Sequence, residues 1–181
     1  MTVQSPVVQL VGFLDDAVLR QFFVGWTEVV GVVGRIKSGS VGGALIQYPK
    51  IPSTVSEALA ARILVRHDVY PSALRLERGG GADIRITTAD GAAKVEVKGS
   101  GQAEFQTFGP KDYDCDLLVW LRFGEAAQIG LQGVVRATLF PTPRRSLGDL
   151  GSKVTHTSAE AAIRRGFDVR RLIVPLDQLL S

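Results

Sequence analysis

Gly81 to Ser100 reads G-A-D-I-R-I-T-T-A-D-G-A-A-K-V-E-V-K-G-S, and the alternation within it decides how the chain is built. Asp90-Gly91 is a dipeptide that closes a two-residue β-hairpin, because both central positions of such a turn need positive φ. Folding back around it pairs Ala89 with Ala92, Ile86 with Val95, Ile84 with Val97, Arg85 with Glu96 and Asp83 with Lys98. Side chains along a strand alternate between faces. Ile84, Ile86, Val95 and Val97 therefore form an apolar face suited to packing under a helix, while Asp83, Arg85, Lys94, Glu96 and Lys98 share the other. A slip of one residue would bury the charges and expose the valines, so the choice of face is well specified. Asp83 and Glu96 come out as diagonal neighbours, within reach of long side chains. Two acids and an amine on one sheet face are the equipment for binding a divalent cation beside an activated water.

The flanks support a site on a core. Gly79, Gly80 and Gly81 precede Asp83, where a ligand backbone can approach closely. Gly99-Ser100-Gly101 ends the second strand where a substrate needs room. Asp114 to Leu121, D-C-D-L-L-V-W-L, carries an apolar run that reads as a buried central strand. Upstream, Ser53 or Thr54 caps a predicted helix to about His67, whose Val55, Leu59, Ile63 and Leu64 form a buried stripe. Glu57 falls in its first turns, where either the helix dipole or ligation of a metal accounts for an acid. His67 caps that helix or is solvated.

Further out, Asp15 to about Val30 has helical spacing with Asp15-Asp16 at its start, its aromatic residues serving the core or a dimer contact. Arg35 to Gly43 reads as a flexible basic loop, either lying along DNA or simply mobile. It lacks the G-K-[ST] ending of a phosphate-binding loop, so no nucleotide cofactor is expected. Phe105 to about Asp112 reads as a short helix, with Gln102 and Gln106 placed to hold a phosphate or water, or as surface amides. Ile129 to Phe140 reads as a long strand broken at Gly133, Pro141 to Thr157 as a long loop, then a helix to about Arg165 and a last strand Leu172 to Leu176.

At 181 residues the chain is long enough for one domain with a real core. No apolar run approaches a bilayer span and the N-terminus lacks a signal-peptide pattern, so no membrane association and a cytoplasmic location are expected. The single cysteine, Cys115, excludes an internal disulfide and reads as a small buried hydrophobe. One cysteine and two separated histidines make no zinc set, and no Ser-His-Asp arrangement is recognisable. Net charge is only +3, but between Gly130 and Arg171 the acids are just Asp149, Glu160 and Asp168. Arg144-Arg145, Lys153, His156, Arg164-Arg165 and Arg170-Arg171 give this region a positive surface that fits phosphates, as does Arg35-Ile36-Lys37.

The D…E-x-K pattern of Asp83, Glu96 and Lys98 resembles the PD-(D/E)-x-K nuclease superfamily, with Ala82 standing where proline is usual. F-Q-T-F-G-P-K-D-Y-D-C-D-L-L-V-W-L, Phe105 to Leu121, looks most like type II restriction endonucleases. The resemblance implies an α/β fold with a restriction-endonuclease-like core, a central mixed β-sheet flanked by helices. It implies a single nuclease domain over 1–181, catalytic over about 53–121, with DNA-contacting and dimerisation elements in 1–52 and 122–181. Asp83 and Glu96 would hold the metal with the Val97 carbonyl, and Glu57 is a possible further ligand. Hard oxygen donors favour Mg2+, with Mn2+ a substitute. Lys98, beside two carboxylates, suits positioning and electrostatic work better than service as a base. The expected activity is sequence-specific cleavage of double-stranded DNA by a homodimer, as in a type II restriction enzyme, giving 5′-phosphate and 3′-hydroxyl ends. Arg35, Lys37, Ser38, Gln102, Gln106, Arg144, Arg145, Lys153 and His156 are the expected DNA contacts. Alternatives are a structure-selective repair or junction-resolving nuclease, a nuclease subunit needing a separate recognition protein, or a non-catalytic DNA-binding module.

Overall fold

The structure, a computed structural model, describes residues 8–39, 48–79, 81–101, 105–148 and 153–181. In chain order it comprises β1 (Gln9–Val11), α1 (Asp16–Gly39), α2 (Ser53–Arg66), β2 (Ala73–Arg78), β3 (Ile84–Thr88), β4 (Gly91–Ser100) and β5 (Phe105–Thr107). A 3-10 turn at Pro110–Tyr113 leads to β6 (Leu117–Arg122) and α3 (Gly124–Ile129), and a second at Gly130–Gln132 leads to β7 (Val134–Pro141). The rest are α4 (Pro143–Ser146), β8 (Lys153–Thr155), α5 (His156–Arg164), β9 (Arg170–Pro175) and α6 (Leu176–Leu179).

Seven strands form one mixed sheet in the order β1-β2-β3-β4-β6-β7-β9, and β5 pairs with β8 in a separate ribbon. The β1–β2 and β4–β6 pairs are parallel and the others antiparallel. β6 takes an interior place because Leu117 to Leu121 are buried without a break, as a strand covered on both faces requires.

Alternation along β6 divides the interior in two. Val119 and Leu121 join Leu59 and Ile63 of α2, Leu19 and Phe23 of α1, and Ile84, Ile86, Val95 and Val97 of the hairpin in the larger core. Leu118 and Trp120 point to the opposite face, where Phe108, Tyr113, Phe140, Val154 and Ala162 close a smaller one. Each fully buried large apolar side chain contributes about 1.5–3 kcal/mol. The Trp120 indole N–H donates to Ser100 Oγ at 2.9 Å, which satisfies its polar edge.

Several elements differ from the sequence reading. The hairpin turns on Ala89-Asp90, with Thr88 opposite Gly91 and Ile84 opposite Val95, a slip of two residues from the expected pairing. Arg35 to Gly39 are not loop but the end of α1, and 40–43 lie outside the described residues. The α2 N-cap is Pro52, with no side-chain cap, and not Ser53 or Thr54. Phe105–Thr107 is extended, so only Pro110–Tyr113 is helical there. Ile129 ends α3, and the strand begins after Gly133. The expected loop after Pro141 contains α4 and β8. By length and composition α1 is apolar enough to cross a membrane; it buries Leu19, Phe23 and Trp26 and exposes Val18, Val29, Val32 and Ile36.

Candidate active site

Asp83 sits one residue ahead of β3, and its Oδ2 accepts the Val97 N–H at 2.7 Å. The ladder runs Ile86↔Ala93, Arg85↔Lys94, Ile84↔Val95 and ends there; Asp83, just beyond it, lies near enough to Glu96 for its charge to raise the Glu96 pKa. The expected and the observed register both keep the two acids on one face, because a slip of two preserves alternation. Glu96 and Lys98 register with Leu118 and Trp120 of β6, so they stand on the smaller-core face. Val97 turns its side chain the other way, into the larger core. A strand residue presents its N–H and C=O to the same edge. With the Val97 N–H aimed at Asp83, its carbonyl also opens on that edge, beyond the first rung of the β3 ladder.

Lys98 is held from two elements. Its Nζ donates to Glu96 Oε1 at 2.7 Å and lies 2.9 Å from Asp112 Oδ1 on the 3-10 turn. The other Asp112 oxygen accepts the Gly109 N–H at 2.7 Å, which closes that turn and fixes the carboxylate. Burial pushes the Lys98 pKa down, but its hydrogen bonds to Glu96 and Asp112 together outweigh this, and the net shift is upward. Burial raises the Glu96 pKa, with Asp83 adding to the rise and the Lys98 hydrogen bond opposing it. The amine is thus a fixed cation at neutral pH, in the direction expected beside two carboxylates.

Asp112 is the residue that sequence reasoning missed. Gly109-Pro110-Lys111-Asp112 carries a local turn signal, proline first and a capping acid third. Nothing in that signal says which amine the acid's free oxygen meets, because the contact is tertiary.

Glu57, 5% exposed, is paired with Arg78 at the end of β2. Among the described residues no group of three or more His, Cys, Asp or Glu side chains is arranged to hold a metal ion, so Glu57 does not join Asp83 and Glu96. What the site offers is two carboxylates and a carbonyl edge. Asp83 Oδ1 and Glu96 Oε2 make no hydrogen bond or ion pair among the described residues. Two available hard oxygens plus a carbonyl suit Mg2+, which keeps several waters and does not need a full protein cage.

Of the expected DNA contacts, those that the structure describes lie on two elements, α1 and α4. Arg35, Lys37 and Ser38 ride the last turns of α1, where the Ser38 hydroxyl bonds the carbonyls of Gly34 and Arg35 and Lys37 stacks 5.0 Å from the Tyr48 ring. Arg144 and Arg145 lie on α4, with Arg144 3.4 Å from Asp114. Gln102 lies outside the described residues, as do the side chains of Gln106, Lys153 and His156. Burial pushes the Cys115 thiol up to about 12, with nearby Glu96 and Asp116 adding to it, and its Sγ contacts the Asp112 carbonyl at 3.4 Å. Such a thiol is no nucleophile. His67 closes α2, its N–H donating to the Ile63 carbonyl at 3.0 Å. Set against known proteins, the chain matches no family model, no curated protein and no solved structure.

Proposed function

We propose that the chain is a Mg2+-dependent endonuclease of double-stranded DNA built on a restriction-endonuclease-like core, acting as a homodimer. The observation that carries this reading is the meeting of Asp83, Glu96 and Lys98 on one sheet face, beside the open edge of the Val97 carbonyl. Phosphodiesters resist hydrolysis because their charge repels a nucleophile. Mg2+, or Mn2+ in its stead, supplies charge neutralisation and a water of lowered pKa when bound. Asp83 and Glu96 provide the anionic oxygens that hold it. The Asp83–Val97 hydrogen bond fixes one carboxylate against the strand that carries the other. Lys98, held cationic by Glu96 and Asp112, orients the attacking water and offsets charge developing on the phosphate. Its raised pKa sets it against acting as the base. The expected products carry 5′-phosphate and 3′-hydroxyl ends, and a two-fold pair of sites accounts for cutting both strands.

Incubation with plasmid DNA and Mg2+ tests this. Discrete fragments are expected, with ends read by sequencing, and none with chelator or with Asp83→Ala or Lys98→Ala. Smearing or nicking points instead to a structure-selective nuclease. Undiminished cleavage by either variant overturns the site.

A further inference from the structure

Beside the acids, on the same sheet face, a cavity of about 630 Å³ opens toward the hairpin turn. Arg85 and Lys94 line it, alternating with the core residues Ile84, Ile86 and Val95, so they share a face with Glu96 and Lys98. Arg144 and Arg145 line it from α4, and Ala82 and Tyr113, the chain neighbours of Asp83 and Asp112, line it as well. The cavity therefore continues the site along the sheet.

Its charge is not balanced from within. Arg85 and Lys94 are directly opposed in the ladder, and like charges in that relation destabilise a sheet. Neither side chain makes a hydrogen bond or ion pair among the described residues, and Arg145 makes none either. The lining holds two carboxylates, and Glu77 of β2, which pairs with Arg75 at 3.0 Å, stands opposite Arg85 in the neighbouring ladder. Asp114 faces Arg144 at 3.4 Å, and Asp116 Oδ2 accepts the Lys94 backbone N–H at 2.8 Å. Ahead of α4, Thr142 is held at φ 41° while its N–H donates to the Asp116 carbonyl at 2.8 Å. A β-branched residue in that region carries strain, here spent at the turn that leads into the two arginines. Four cations stand around one open volume against two carboxylates, with Arg85 and Lys94 in forced opposition, and the excess of positive charge suits a polyanion.

Resting on the nuclease reading above, we infer that this cavity seats the phosphate backbone of the DNA strand next to the bond that is cut. Arg85 and Lys94 grip it from the sheet and Arg145 from α4. The line from Arg85 and Lys94 to Asp83 and Glu96 follows β3 and β4, so a strand lying in the cavity runs on to the two acids.

The test measures binding of a short fluorescent duplex by anisotropy in chelator, across a series of KCl concentrations, so that no cleavage is read. Loss of one phosphate contact flattens the dependence of log K on log[salt] by about 0.9. Arg85→Gln, Lys94→Gln and Arg145→Gln are each expected to weaken binding and flatten the slope by that amount. Arg66→Gln, exposed at the end of α2 and so on the other side of the sheet, serves as a cationic control and is expected to change neither. Circular dichroism checks that each variant is folded. Unchanged slopes in all three folded variants overturn the inference. Displacement of the duplex by inorganic pyrophosphate at equal phosphate concentration also overturns it, in favour of a small-anion site. The two readings fail separately. A wild-type protein that binds through these residues but cuts nothing with Mg2+ loses the nuclease reading and keeps the groove. One that cuts while the three variants keep the wild-type slope loses only the groove.

Discussion

Lys98 draws its position from Glu96, two residues away on the same strand, and from Asp112, fourteen residues on, on the 3-10 turn. If Glu96 turns an oxygen to a metal, Asp112 is the partner that remains to keep the amine in place. Asp112→Asn is therefore expected to lower kcat by roughly 10- to 100-fold, the usual cost of losing a supporting partner, while duplex affinity in chelator stays unchanged. Equal losses in both would make Asp112 a purely structural residue. Glu96 gives a pH test with a definite sign. Its folded pKa is raised, first by burial and then by Asp83, so its contribution to stability is complete below the ordinary carboxylate pKa and is lost as pH rises through the folded value. Glu96→Gln should then melt above the wild type at pH 7, with the gap closing once pH falls below the carboxylate range. Mg2+ should raise the melting temperature of the wild type at pH 7 and leave that of Glu96→Gln where it is. A melting gap of the same size at pH 4 and pH 7 would sink this account.

At the scale of elements, the sequence disclosed what periodicity controls and concealed what local contacts decide. The faces of β3 and β4, the buried run of β6 and the stripe of α2 were legible because burial enforces them. The hairpin register was not, since a slip of two keeps every side chain on its face. The tie is broken by Thr88, whose hydroxyl donates to the Gly91 carbonyl at 3.2 Å and accepts from Asp90 N–H at 3.3 Å, holding Ala89-Asp90 as the turn. The end of α1 was hidden by its glycines, each costing about 1 kcal/mol in a helix; there the helix lies against Tyr48 at Gly34 and Lys37. In the sequence Gly99 offers room for substrate; in the structure it has another duty. A Cβ there would collide with Ser56 Oγ of α2 and stand 3.2 Å from the Phe123 ring. Gly99→Ala is accordingly expected to destabilise the fold by about 1–3 kcal/mol through overpacking, measured by urea denaturation. A loss below that range would show that α2 can withdraw from β4 without cost.

For the whole molecule, the site depends on two cores that share a sheet. β6 sends Val119 and Leu121 into the larger core and Leu118 and Trp120 into the smaller, and β7 divides Leu139 from Phe140 in the same way. Neither core can form without strands the other also needs, so the two should unfold as one unit. The two tryptophans lie on different sides of this arrangement. Trp26 is buried on α1, stacked 5.3 Å from Phe22, and Trp120 is buried in the smaller core. In Trp26→Phe only Trp120 reports, and in Trp120→Phe only Trp26. Urea transitions followed by fluorescence should in each variant coincide with the transition followed by circular dichroism. An earlier midpoint for the Trp120 signal alone would mean that the smaller core opens by itself. Asp112 enters the site on the turn that carries Tyr113 into that core, so such an opening would release Lys98 from one of its two partners while the larger core stayed folded.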